Sequence, residues 1–164
     1  MPHLLPLPQT LLSPAKKIMS LRQPTLKMSK SHPEPRSRIL ITDSAATIRS
    51  KIMSALTDSI PGPVTFDSEE RPGVSNLLSI VAYLREEEST PEGVATEMAG
   101  LTMREFKERV AEEVADGMAG VRDEYERLIG REAYLNEVAA EGAKKARASA
   151  TATLDEVKVA VGLA

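Results

Sequence analysis

Lys27-Met28-Ser29-Lys30-Ser31 places two primary amines three residues apart, with two small hydroxyls among them, in a run that meets no acid until Glu34. Two mobile ammonium groups can surround a polyphosphate, while serine hydroxyls and backbone amides add neutral donors to its oxygens. The same composition also suits a solvated surface loop, and composition alone leaves both readings open. Other chemistries are poorly supplied. The chain has no cysteine, so thiol nucleophiles, thiolate zinc sites and disulfide frameworks are excluded. His3 and His32 are the only histidines, they stand far apart, and neither neighbours a ligand-spaced carboxylate cluster, so no protein-held metal site is expected. No glycine precedes Gly62, which leaves no Gly-rich phosphate turn ahead of the basic run. The acid pairs Glu69-Glu70 and Glu112-Glu113 read as solvated faces.

The elements that must position this run change character along the chain. Pro2, Pro6, Pro8, Pro14, Pro24, Pro33 and Pro35 each bar helix continuation nearby, so residues 1–38 read as extended or looped, with one short strand around 17–21. "RILIT" at 38–42 is a second strand candidate. Asp43 or Ser44 then caps a helix whose stripe is Ile48, Ile52 and Leu56, with Arg49 and Lys51 off it, and "SIPGPV" ends it. A helix capped by Ser75 is expected to run to about Glu86, with Leu77, Leu78, Val81 and Leu84 inward. Thr90-Pro91 opens a short helix closed by Gly100. Thr102 and Glu105 have the spacing of a capping box, which launches a long helix with the stripe Phe106, Val110, Val114, Met118, Val121, Tyr125 and Leu128. After Gly130 a last helix runs from about Glu132 towards Val161, and short connections between long helices favour antiparallel packing. The expected fold class is therefore mainly α, with a helical bundle in the C-terminal part.

Charge follows the same division. Residues 1–64 carry nine Lys or Arg against three acids, and residues 65–164 carry twelve against twenty-one. A basic front ahead of acidic helices points to an anionic ligand at the front. With 41% hydrophobic residues but only five aromatics, the core must be mostly aliphatic. The longest apolar runs, such as "LLSIVAYL" at 77–84, fall far short of the roughly 20 residues that cross a bilayer, so no membrane partner is expected.

In its order, Lys27–Ser31 spells KMSKS, the signature loop of class I aminoacyl-tRNA synthetases, and "KIMSLRQPTL" before it resembles the same stretch of tryptophanyl-tRNA synthetases. The resemblance continues through "TIRSKIMSALTDS", "DSEERPGVSNLLSIV", "FKERVAEEV", "YLNEVAAEGAKKARASA" and a closing "VGLA". It covers the chain from about Lys16 and is similar to the C-terminal half of bacterial or mitochondrial members. The resemblance implies an ATP-dependent tryptophan–tRNA ligase that forms tryptophanyl-adenylate and passes tryptophan to tRNA-Trp. It implies Lys27 and Lys30 as catalytic residues that stabilise the leaving pyrophosphate. Ser29, Ser31 and the Met28 backbone would position phosphate oxygens, Ile18 and Met19 match the adenine-contacting stretch, and Mg²⁺ would travel with the ATP.

The implied architecture is a remnant of an α/β Rossmann-type catalytic domain over residues 1–45, a connecting helix over 46–63, and a helical tRNA-anticodon-binding domain over 64–164. "RPGVSNLL" would lie where that domain meets the catalytic half. Lys144, Lys145 and Arg147 are nominated for tRNA phosphate contacts, with a solvated helix face as the alternative. Full-length members are expected to be homodimers. A mitochondrial matrix location fits the resemblance and a cytoplasmic one is compatible, since the Pro-rich front shows no clear transit peptide.

Two departures matter. The His-x-Gly-His motif and the tryptophan pocket of a complete member have no counterpart here, so the isolated chain is expected not to activate tryptophan. His32 stands where the family usually has Asp, which bears on how the loop is capped. The alternative reading is a non-catalytic helical module that binds tRNA or a protein.

Overall fold

The computed structural model of the chain describes residues 4–5, 7–13, 15–85 and 88–163. It is mainly α: a 3₁₀ turn at Pro35–Ser37, then α1 (Ala45–Met53), α2 (Pro72–Leu84), α3 (Pro91–Met98), α4 (Met103–Ile129) and α5 (Glu132–Ala160). His3, Pro2, Pro6, Pro14 and the expected helix end near Glu86 lie outside the described residues. Two compact units are present, one of residues 13–124 and one combining residues 1–12 with 125–164.

The first unit is built around α2, which buries Gly73, Val74, Ser75, Asn76, Leu77, Leu78, Ile80, Val81 and Ala82. A helix apolar over most of its circumference must be covered on several sides. Ile48 and Ile52 of α1, Val94 and Met98 of α3, and Phe106, Val110 and Val114 of α4 complete the core with it. Gly73 is what permits so close a seat. A Cβ built there would stand 2.2 Å from the Leu56 carbonyl oxygen, so backbone meets backbone at that point. Gly62, with φ of 111°, makes the Pro61-Gly62 turn that a residue with a Cβ would resist.

Caps account for most helix starts. The Ser44 hydroxyl accepts the Thr47 amide at α1, and the Thr90 hydroxyl accepts the Gly93 amide ahead of Pro91 at α3. Thr102 and Glu105 form the expected reciprocal box, with the Glu105 carboxylate accepting the Thr102 amide at 2.8 Å and the Thr102 hydroxyl accepting the Glu105 amide at 3.3 Å. The Thr102 hydroxyl and amide also hold the Glu105 carboxyl below its usual range.

Several expectations fail locally. α2 begins at Pro72, not at Ser75, because proline at the first helical position needs no partner for its missing N–H. The Ser75 hydroxyl instead accepts the Asp67 amide at 2.8 Å, fixing the turn before the helix. α1 ends at Met53, so Leu56 leaves the stripe and is 53% exposed. Lys51, expected off the apolar stripe, is buried and pairs with the buried Asp43. "RILIT" is not a strand. The Asp43 carboxylate accepts the Leu40 amide and the Asp43 amide donates to the Leu40 carbonyl, which folds the segment into a turn and exposes Leu40 and Ile41. Of the expected strand at 17–21, one isolated antiparallel bridge between Met19 and Lys27 is formed among the described residues.

In the second unit, α5 buries no residue. Leu135, Val138 and Leu154 of α5 are exposed, as is Tyr125 at the end of α4. The Arg131 guanidinium lies over the Tyr134 ring, 5.0 Å from its centre, at the start of α5.

Candidate polyphosphate loop

Residues 18–28 turn back on themselves and present the basic run at the tip of the returning arm. The Ser20 amide donates to the Leu26 carbonyl at 2.8 Å and the Met28 amide donates to the Ile18 carbonyl at 2.9 Å. Thr25 and Pro24 lie in the turn between, where proline's fixed φ is compatible and a missing donor is harmless. The hairpin is held from outside as well. The Leu21 amide donates to the Ser37 carbonyl at 2.9 Å, the Leu56 amide donates to the Leu21 carbonyl at 2.7 Å, and an Arg22 guanidinium nitrogen donates to the Ser54 carbonyl at 2.6 Å. Leu21 is 2% exposed, so the hairpin is pinned at its base while its tip faces solvent.

Lys27, Ser29, Lys30 and Ser31 are all exposed. Among the described residues neither lysine has an ion-pair partner, although Asp and Glu outnumber Lys and Arg in the chain as a whole. The Ser29 and Ser31 hydroxyls lie 3.1 Å apart and share one hydrogen bond, so a single oxyanion could engage both. These four side chains are exposed within one five-residue run that holds no carboxylate, a composition that attracts a multiply charged anion.

One element of the sequence reading is changed here. The Met28 amide is already bonded to Ile18, so Met28 offers its N–H to the hairpin and not to a phosphate. Ile18 and Met19 also separate, as alternation along an extended segment requires. Ile18 and Met28 share an apolar cavity of about 280 Å³ with Ile39, Ile80, Tyr83 and Met118. Met19 lines a more polar cavity of about 410 Å³ with Lys17, Thr25, Phe66, Ser75 and Asn76.

The loop's exit is closed by His32. Its amide donates to the Ser29 carbonyl at 3.3 Å, and its Nδ1 accepts the Glu34 amide at 3.1 Å, the contact an Asp carboxylate makes in such a turn. An Arg38 guanidinium nitrogen donates to the His32 carbonyl at 2.7 Å. Glu34 in turn accepts the Arg36 amide, capping the 3₁₀ turn. His32 thus closes the loop without setting a carboxylate against the basic run.

Asn76 is a residue that sequence reasoning missed. It lies on α2, is 5% exposed, and clasps the Met19 backbone from both sides. Its Oδ1 accepts the Met19 amide at 2.8 Å, and its Nδ2 donates to the Met19 carbonyl at 2.8 Å. A buried amide inside the apolar run "GVSNLLSIV" was the available signal, because a polar side chain there needs partners.

Lys144, Lys145 and Arg147 are exposed on α5. They do not form one cluster. Lys145 pairs with Glu141 at 2.7 Å, whereas Lys144 and Arg147 share a shallow face with Thr151 and Asp155.

The sequence model for tRNA synthetases class I (W and Y) matches residues 2–117. The mitochondrial tryptophan–tRNA ligase of Saccharomyces cerevisiae is 38% identical over 158 residues, which is 96% of this chain and 41% of that protein. Among solved structures, tryptophanyl-tRNA synthetase from Mycoplasma pneumoniae superposes with a TM-score of 0.72 at 27% identity, over 91% of this chain and 46% of that one. The Campylobacter jejuni tryptophanyl-tRNA synthetase, solved with ADP and tryptophan, gives a TM-score of 0.59 at 26% identity, over 90% and 44%. The chain spans less than half the length of these relatives.

Proposed function

Since the chain belongs to the class I tRNA synthetases for tryptophan and tyrosine, we propose that it supplies the phosphate-binding loop and the tRNA-facing helices of a tryptophan–tRNA ligase. The observation that carries this reading is the exposed run Lys27–Ser31, which holds two lysines without carboxylate partners and two coupled hydroxyls at the end of the hairpin. In the reaction, a tryptophan carboxylate oxygen attacks the α-phosphorus of ATP and the bond to the β-phosphate bridging oxygen breaks. Negative charge then grows on departing pyrophosphate. Lys27 and Lys30 approach those oxygens, and the Ser29 and Ser31 hydroxyls orient them, so stabilisation is larger in the transition state than in the bound substrate. ATP brings Mg²⁺ with it, held by phosphate oxygens and water. Ile18, Met19 and Met28 border the adenosine end, with Met28 acting through its side chain and its place in the hairpin.

Residues 1–45 are assigned to the end of a Rossmann-type catalytic domain, 46–63 to a connecting helix and 64–164 to a helical anticodon-binding domain. The seating of α2 on the hairpin through Met19 and on the connection through Leu56 supports a firm junction there. Lys144 and Arg147 face outward for tRNA phosphates, with Lys145 less free to do so because of Glu141. Homodimeric assembly belongs to this reading as an implication of the family resemblance, and a mitochondrial site of action is supported by the similarity to the yeast mitochondrial enzyme.

No His-x-Gly-His motif occurs in the sequence, so this chain by itself should not activate tryptophan. Two measurements test the reading. Titrating the isotope-labelled chain with Mg-ATP should move the amide resonances of residues 27–31 first, and shifts confined to other segments would defeat the assignment. Tryptophan-dependent exchange of pyrophosphate into ATP by the chain alone should be absent, and its presence would overturn the division of labour.

A further inference from the structure

We infer that Asn76 is a positioning residue for the phosphate loop: its carboxamide, carried on α2, sets the hairpin that holds Lys27 to Ser31 in place. The inference rests on the nucleotide reading above and adds a residue that touches neither nucleotide nor tRNA in that reading.

The argument begins with what only an amide can do. Asn76 Oδ1 accepts from the Met19 N–H and Nδ2 donates to the Met19 carbonyl, both at 2.8 Å, so the two groups of one backbone residue are satisfied by one side chain. The pairing fixes which atom is oxygen and which is nitrogen, because the reverse orientation would set donor against donor and acceptor against acceptor. An aspartate would keep the acceptor and present a second oxygen to the Met19 carbonyl. Serine or alanine would not span the gap. Asn76 is buried and Met19 half-buried, where unpaired backbone groups are costly and paired ones are held firmly.

The next links lead to the loop. Met19 is the residue bridged to Lys27, and the flanking Ile18 carbonyl accepts the Met28 amide. The clasp on Met19 therefore lies directly opposite the first lysine and beside the bond that anchors Met28. α2 cannot slide to relax this contact, since Gly73, one helical turn before Asn76, already meets the Leu56 backbone. The rest of the hairpin is pinned at Leu21 by Ser37 and Leu56. Without the clasp, nothing among the described residues outside the hairpin bonds to the backbone of Ile18 or Met19. Positioning by a rigid helix is what a loop acting through geometry requires.

The test compares the wild-type chain with Asn76→Ala and Asn76→Asp, using amide hydrogen exchange and titration with inorganic pyrophosphate. In Asn76→Ala the Met19 and Met28 amides should exchange about tenfold faster or more, the size expected when a buried hydrogen bond is lost. The Val110 and Val114 amides in α4 should stay within about twofold, as local openings do. Half-saturation by pyrophosphate, read at the Lys27–Ser31 amides, should rise by about tenfold. Asn76→Asp keeps the size and the acceptor, so it serves should the alanine variant not fold, and it should show the same pattern at Met28.

Unchanged exchange at Met28, or a uniform rise that includes α4, would overturn the positioning role. Wild-type and variant half-saturations that coincide would overturn it too and leave the nucleotide reading standing. A wild-type chain indifferent to pyrophosphate would sink the nucleotide reading instead, and the exchange pattern would still decide whether Asn76 sets the loop.

Discussion

Lys27 and Lys30 differ in what surrounds them, and the difference gives a prediction. Lys27 sits on the bridged arm opposite Met19, whereas Lys30 follows the coupled serines at the open tip. Its amine has the wider reach. In a full-length ligase carrying this loop, Lys30→Ala should slow adenylate formation by about 10²- to 10³-fold, the loss typical of one preorganised charge contact, with tRNA affinity unchanged. Stopped-flow formation of the adenylate beside filter binding of tRNA separates the two, and equal losses in both would remove Lys30 from the role. The loop itself was legible in the sequence because its chemistry lies in side-chain types and spacing. Its cap was not. Nothing in the composition says that His32 would accept the Glu34 amide, since that contact depends on how the turn closes.

At the scale of elements, the caps at Thr90 and Thr102 were legible, whereas the start of α2 and the seats were not. Thr90, Thr102 and Glu105 act through neighbours three residues away, so sequence carries the whole interaction. Gly73 and Asn76 act on residues 17 and 57 positions distant, and only packing reveals them. Gly73→Ala should therefore destabilise the chain by about 3 kcal/mol or more, because the intruding methyl meets backbone that cannot rotate away. Thermal denaturation followed by circular dichroism measures this, and a melting midpoint equal to wild type would mean that α2 is seated more loosely. "RILIT" was misread for a related reason. Its β-branched and aliphatic residues suit a strand, but a strand needs a neighbour to accept its ladder, and here the Asp43 carboxylate takes the Leu40 amide.

For the molecule as a whole, the buried core lies in the unit of residues 13–124. The buried Arg71 guanidinium bonds Asp58, the Pro63 carbonyl and Thr65, tying the connection after α1 to the start of α2. Burial pushes the Asp58 carboxyl up, yet hydrogen bonds from Arg71 and the Ile60 amide leave it below its ordinary 3.8. Glu113 behaves alike, raised by burial but held below its ordinary 4.5 by Arg85 and Arg109. A carboxyl whose folded pKa is depressed contributes stability above its unfolded value and loses it as pH falls through the folded one. The melting midpoint should thus stay level from about pH 7 to 5 and decline below about 4.5. Asp58→Asn should lower it at neutral pH by about 2 kcal/mol of stability and flatten the acid limb. An acid limb as steep as wild type would show that the pair is not the titrating contact. Because α5 buries nothing, ending the chain after Gly130 should reduce helix content while leaving the melting midpoint unchanged. A fall of several degrees would assign α5 a packing role.

The sequence by itself determined the family, the helical class, the caps at Thr90 and Thr102 and the order of the basic loop at Lys27–Ser31, because each is written in residues near one another in the chain. Tertiary structure decided how that loop is held. The Asn76 clasp on Met19, the seat of Gly73 on Leu56 and the burial of Lys51 with Asp43 depend on side chains and backbone that the fold brings together. Such contacts depend on which surfaces meet, and periodicity describes a surface without naming its partner.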